Sequence, residues 1–167
     1  EFPDEFFQKR MWNIPRLIPD QYLIGKAIKA IKKSNRPMII SGGGVIYSEA
    51  EEELKKLIEK TGIPVAETFA GKGALHYKHE LNLGAMGATG TKGANEISNE
   101  ADLVIGIGTR YSDFTSASKS AWQNPEVTFI NINITELDVY KQSAIPLQGD
   151  ARETPQNNQK RTRRIQY

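Results

Sequence analysis

Two apolar runs, Pro37-Met38-Ile39-Ile40-Ser41 and Asp102-Leu103-Val104-Ile105-Gly106-Ile107-Gly108, constrain this chain most. Each is apolar at successive positions rather than at alternate ones, the pattern of a strand covered on both faces. The first stops at Gly42-Gly43-Gly44, and the second carries Gly106-x-Gly108 at its end. Ile63-Pro64-Val65-Ala66-Glu67, residues 127–133 and Ala144-Ile145-Pro146-Leu147 read as further short strands. The last is closed by Gly149-Asp150.

Helical patterns separate these runs. Asp20 can cap a helix in which Leu23, Ile24, Ala27, Ile28 and Ile31 recur at helical spacing. Ser48 with Glu51 three residues later reads as a capping box, followed by the stripe Leu54, Leu57, Ile58 and a closing Gly62. A short helix is expected over 92–100, a polar helical stretch over about 113–122, and a cap at Thr135…Asp138. Residues 68–93 read as a long glycine-rich loop of the kind that serves a site or an interface. Alternating strand and helix imply an α/β fold: a doubly wound, Rossmann-like parallel sheet of about five to six strands in a three-layer αβα stack. Ligands of such sheets sit at the carboxyl ends of the strands, where these glycines fall.

The 167 residues fit one domain of roughly 100–200 residues. The chain has no cysteine, which removes disulfides, thiolate metal sites and a cysteine nucleophile, and fits a cytoplasmic protein better than a small secreted one. No apolar run approaches the roughly 18–20 residues of a membrane span, and Glu1-Phe2-Pro3-Asp4 does not resemble a signal peptide. The absence of an initiator methionine fits a chain cut from a longer one. Residues 1–19 read as a linker arriving from a missing N-terminal domain, with Phe6, Phe7, Met11, Trp12 and Ile14 in want of cover. Net charge is +2, but residues 155–167 hold Lys160, Arg161, Arg163 and Arg164 and no acid. Without them 18 basic face 20 acidic residues, a net −2, so neither nucleic acid nor a membrane is expected as a partner.

Each motif has a chemical and a structural reading. The two glycine turns are half-fingerprints for a dinucleotide, since the third glycine would fall at Tyr47 or Tyr111. They serve either a phosphate or a tight turn under close packing. Gly71-Lys72-Gly73 is not a P-loop, because Ala66 and Gly73 stand where glycine and serine or threonine are required. His76 and His79 lack a third ligand in clear geometry and read as loop residues. Arg110 could grip phosphate or pair with Asp113. Ser112, Ser116, Ser118 and Ser120 stand outside any nucleophile elbow.

The blocks Arg36 to Gly44, Gly62 to Val65, Leu83 to Gly87, Ala101 to Asp113 and Phe129 to Asn133 resemble, in order and spacing, the central domain of thiamine-diphosphate-dependent enzymes, over roughly residues 20–152. Within that family Glu5 to Arg10, Gly42 to Ser48, Ala66 to Gly73 and Gly108 to Phe114 are most similar to the hydrolases that open trihydroxycyclohexanedione to 5-deoxy-glucuronate in inositol catabolism. The resemblance implies thiamine diphosphate and Mg2+ in a full, homo-oligomeric enzyme, held by flanking catalytic domains. One of these supplies an activating glutamate and the other a G-D-G…N-N motif. Here Gly149-Asp150 is followed by Ala151, and Asn157-Asn158 comes too soon, so this stretch is expected to be non-catalytic. Flavin-containing relatives of the acetohydroxyacid synthase type imply a vestigial FAD or ADP site at Gly42, Gly43, Gly44, Gly87, Gly106, Thr109, Arg110, Asn131 and Asp150. Those relatives carry Ile-Asp-Ile-Asp where this chain has Ile130-Asn131-Ile132-Asn133, which puts the flavin in question. Residues 153–167 lack an apolar stripe and read as a tail, either disordered or foreign to the domain.

Overall fold

A computed structural model describes residues 2–155. The four terminal cations and Asn157-Asn158 lie outside the described residues. Six strands form one all-parallel sheet: β1 (Pro37–Ser41), β2 (Val65–Glu67), β3 (Asn82–Ala85), β4 (Leu103–Ile107), β5 (Thr128–Asn133) and β6 (Ile145–Gln148). Their order is β3-β2-β1-β4-β5-β6, so the winding reverses between β1 and β4. The helices are α1 (Gln21–Lys33), α2 (Gly43–Tyr47), α3 (Glu51–Thr61), α4 (Lys92–Glu100), α5 (Asp113–Ser116) and α6 (Glu136–Val139). None is long and apolar enough to cross a membrane among the described residues.

Alternation along each strand divides the core in two. Ile39, Val65, Ile105 and Ile130 point to one face, where Ile24 and Ala27 of α1 and Leu54 and Ile58 of α3 cover them. Met38, Ile40, Val104 and Phe129 point to the other face, against Ala94 of α4 with Tyr111 and Trp122. This is the three-layer stack that the buried runs predict.

The Asp20 carboxylate accepts from the N–H groups of Tyr22 and Leu23, and Gly62 closes α3 at φ 71°. The capping box is corrected. Ser48 ends α2, and α3 starts at Glu51 behind Ala50, which supplies no side-chain cap. The long loop contains β3, a strand its sequence conceals. Asn82-Leu83-Gly84-Ala85 has no β-branched residue, lies at the sheet edge, and pairs with β2 through a register shift. The stretch 113–122 is helical only over α5. Ala117, Ser118, Lys119 and Trp122 are left-handed, and the chain folds back so that Trp122 meets Tyr111 and Phe129 edge-on at 5.6 and 5.5 Å.

At the amino ends of the strands, Asp102 accepts bonds from the Ser34 hydroxyl and the Asn35 and Arg36 N–H groups, fastening the turn after α1 to β4. Burial works to raise its carboxyl, but those bonds and the Arg36 charge outweigh it and hold the group below its ordinary range. Residues 153–155, expected to belong to the tail, begin a helical turn instead. Thr154 there is fully buried, and its hydroxyl donates to the Asp150 carbonyl at 2.7 Å.

Candidate functional site

The sequence-predicted site residues all fall at the carboxyl edge of the sheet, but strung along its width. Gly87 follows β3 at one side and Asp150 follows β6 at the other. Five strand spacings of roughly 4.8 Å separate those strands. The middle of the row, Gly42 to Gly44 and Gly106 to Arg110, lies at the reversal between β1 and β4.

There the two glycine turns pack against each other. Gly42 N–H donates to the Ile107 carbonyl at 2.8 Å and Gly44 N–H to the Gly108 carbonyl at 3.1 Å. A Cβ on Gly42 would fall 2.2 Å from the Gly108 oxygen, and one on Gly108 would fall 2.5 Å from the Gly44 Cα. Backbone of one turn occupies the space that a side chain on the other would need. The neighbouring glycines are filled likewise: Tyr111 Oη lies 2.0 Å from where a Gly106 Cβ would stand, and the Phe114 carbonyl 1.9 Å from a Gly87 Cβ. Gly43 is buried beneath Ala70 and Tyr47.

Asn131 is enclosed on the same side of the sheet. Its Oδ1 accepts from the Tyr111 hydroxyl at 2.6 Å, and its Nδ2 donates to the Val139 and Lys141 carbonyls at 3.2 and 2.9 Å. Burial raises the Tyr111 phenol far above its ordinary value, so the hydroxyl remains a donor. Asn133 Nδ2 donates to the Thr109 carbonyl at 3.0 Å, while its Oδ1 accepts from the Thr135 N–H and hydroxyl. Thr109 is buried, and its hydroxyl accepts from Tyr111 N–H. These amides perform donations that a carboxylate cannot make.

Arg110 projects into solvent, and its Nε lies 4.0 Å from Asp138 rather than beside Asp113. Asp138 also meets Lys141 Nζ at 2.7 Å and the Thr135 hydroxyl at 2.9 Å. Its burial works to raise the carboxyl, but the Lys141 and Thr135 bonds and the Lys141 and Arg110 charges prevail and lower it. Asp150 is held in an ion pair that the sequence conceals: Arg16 Nη1 reaches both carboxylate oxygens at 3.1 Å and also the Ser48 carbonyl at 2.9 Å. No spacing rule could link residues 134 positions apart. His76 and His79 accept from the Lys78 and Leu81 N–H groups, and His79 Nε2 lies 3.9 Å from Glu59.

Residues 24–157 match the sequence model of the thiamine pyrophosphate enzyme central domain. The chain belongs to that family. It is 51% identical over 153 residues to the 3D-(3,5/4)-trihydroxycyclohexane-1,2-dione hydrolases of Bacillus thuringiensis (strain Al Hakam) and Bacillus cereus (strain 03BB102). It is 50% identical to that of Bacillus anthracis (strain A0248). In each case the match covers 92% of this chain and 24% of the relative, so the chain spans about a quarter of the length of these curated proteins.

Among the described residues there is no group of three His, Cys, Asp or Glu that could hold a metal ion. The buried Glu67 is turned onto its own loop, where its Oε1 accepts from the Gly73 and Leu75 N–H groups. The glycine turns, Asn131, Asn133 and Asp150 are engaged by the chain itself.

Proposed function

We propose that this chain is the central, non-catalytic domain of a thiamine-diphosphate-dependent hydrolase that opens the ring of trihydroxycyclohexanedione to 5-deoxy-glucuronate. The observation that carries this is 51% identity sustained over 92% of the chain to proteins of that name. Flanking catalytic domains hold the cofactor, with Mg2+ as its metal, in a cytoplasmic homo-oligomer. The central domain spaces and orients those domains.

In this reading Gly42, Gly43, Gly44, Gly87, Gly106, Thr109, Asn131 and Asp150 hold the carboxyl edge in shape. The internal packing and hydrogen bonds at these positions support that role. The alternative, a FAD- or ADP-binding central domain of an acetohydroxyacid synthase-like enzyme or a free-standing nucleotide-binding module, draws no support from the relatives named above.

The test is a complementation assay. A full-length hydrolase carrying this domain opens the cyclic diketone in a thiamine-diphosphate-dependent manner, whereas the chain by itself gives no turnover and no flavin absorbance. Turnover or a bound flavin in the isolated chain refutes the proposal.

A further inference from the structure

An open parallel sheet leaves two outer strands, and here they are β3 and β6, each paired on one side alone among the described residues. Between them lie strands that would stack readily with copies of themselves. β5 reads Thr128-Phe129-Ile130-Asn131-Ile132-Asn133 and β4 reads Leu103-Val104-Ile105-Gly106-Ile107, rich in β-branched residues, without charge and without proline. An outer strand that accepted a strand from a second molecule would let such a sheet grow from molecule to molecule.

One residue closes β3. Thr91 donates its hydroxyl to the Leu83 carbonyl at 2.8 Å and its N–H to the Ala85 carbonyl at 2.8 Å. Its methyl group stands 3.0 Å from where a Gly84 Cβ would be, so it lies over the middle of the strand. Gly84 N–H donates to Asn82 Oδ1 of the same strand at 2.7 Å. Two carbonyls at alternate positions, the pair that an incoming strand would bond, are therefore taken by the chain itself.

β6 is closed by different means. Gly149 N–H donates to the Asn133 carbonyl of β5 at 2.9 Å. Successive N–H groups of a strand point to opposite sides, so Leu147 turns with Gly149 toward β5, while Pro146, Gln148 and Asp150 face outward. Pro146 has no N–H to give. Asp150 N–H donates to the Leu17 carbonyl at 2.9 Å, where the N-terminal arm, residues 2–19, is held by Arg16 on the Asp150 carboxylate. The row of outward donors is thus interrupted on both sides of Gln148.

We propose that both outer strands are built to refuse a strand from a second copy of this chain, with Thr91 closing β3 and Pro146 together with the arm closing β6. Thr91 thereby has a task beyond capping α4, and residues 16–19 act as a guard of the sheet as well as a connection. This concerns strand pairing alone and is independent of the reaction proposed above.

The experiment follows association of the whole chain by light scattering and by the infrared absorption of intermolecular β-structure. It compares Pro146→Val, Thr91→Val and Thr91→Ser with the parent and with Ile132→Val. The last trims a buried side chain of β5 and leaves both outer strands as they are. Urea is adjusted so that all samples have the same unfolded fraction. Pro146→Val and Thr91→Val are expected to associate at least about fivefold faster than Ile132→Val, with a rising intermolecular β signal, and Thr91→Ser is expected to behave as the parent. Association of both valine variants no faster than that of Ile132→Val overturns the proposal. So does faster association without the β signal, which would mean clumping through exposed aromatic side chains. Should Pro146→Val fail to fold, Thr91→Val against Thr91→Ser decides, because these two differ by the one hydroxyl that reaches Leu83.

Discussion

Tyr111 donates its hydroxyl to Asn131 Oδ1 at 2.6 Å, directly over Gly106, the one strand position between them that has no side chain. That bond fixes the amide orientation, and Nδ2 then ties β5 to the carbonyls of Val139 and Lys141. The knot is buried, so each of its bonds matters through the group that its loss would strand.

Asn131→Asp is expected to destabilise the domain by about 2–4 kcal/mol. The carboxylate keeps the Tyr111 bond but faces the Val139 and Lys141 carbonyls with no donor. Tyr111→Phe leaves Oδ1 unpaired and costs about 1–3 kcal/mol. Urea unfolding followed by tryptophan fluorescence checks both. An Asn131→Asp variant as stable as the parent would show that the amide donations are dispensable.

Gly42→Ala places a methyl where the Gly108 carbonyl stands, so the turns must separate. A loss of about 3 kcal/mol or more is expected, at the upper end of overpacking. Gly25→Ala is the contrast. Nothing lies within 4 Å of its would-be Cβ in α1, and relief of the helical glycine cost should stabilise by roughly 0.5–1 kcal/mol. Paired denaturation midpoints moving in opposite directions are the expected outcome.

Arg16→Ala removes the clamp between the arm and Asp150. The loss in stability is expected to be modest, about 1 kcal/mol, because Arg16 is itself partly exposed. Trypsin cleavage at Arg10 should accelerate severalfold while the body resists. Unchanged cleavage would mean that Leu17 and Pro19 hold the arm without the ion pair.

Acid should weaken the domain through Asp102 and Asp138, whose folded carboxyls both lie below their ordinary values. Their stabilisation is fully present above the unfolded value of about 3.9 and is lost as pH falls through the lower folded ones. Thermal midpoints measured from pH 6 to pH 2.5 should drop below about pH 4, and Asp138→Asn should flatten that limb.

Much of the fold is legible because buried parallel strands announce themselves by continuous apolar runs. Ile39, Val65, Ile105 and Ile130 sit where those runs place them. β3 is hidden because an edge strand made of Asn, Leu, Gly and Ala carries no such run. The stretch after α5 is hidden because Trp122 turns inward to an aromatic cluster that no local spacing encodes. The glycine turns are visible in the sequence, but with both of their readings open.

By itself the sequence determined the layers, the strands that flank the winding reversal and the gathering of glycines at their carboxyl ends. These follow from local periodicity and from where a side chain is absent. Only the tertiary structure decided what the glycines meet. Gly42 and Gly44 are about sixty-five residues from Gly108, and contact across such a separation is set by strand order, not by spacing. The same holds for Tyr111 with Asn131 and Arg16 with Asp150. Each is a polar pairing made after the sheet has brought distant chain together, and together these pairings turn a row of ligand-like residues into a self-supporting edge.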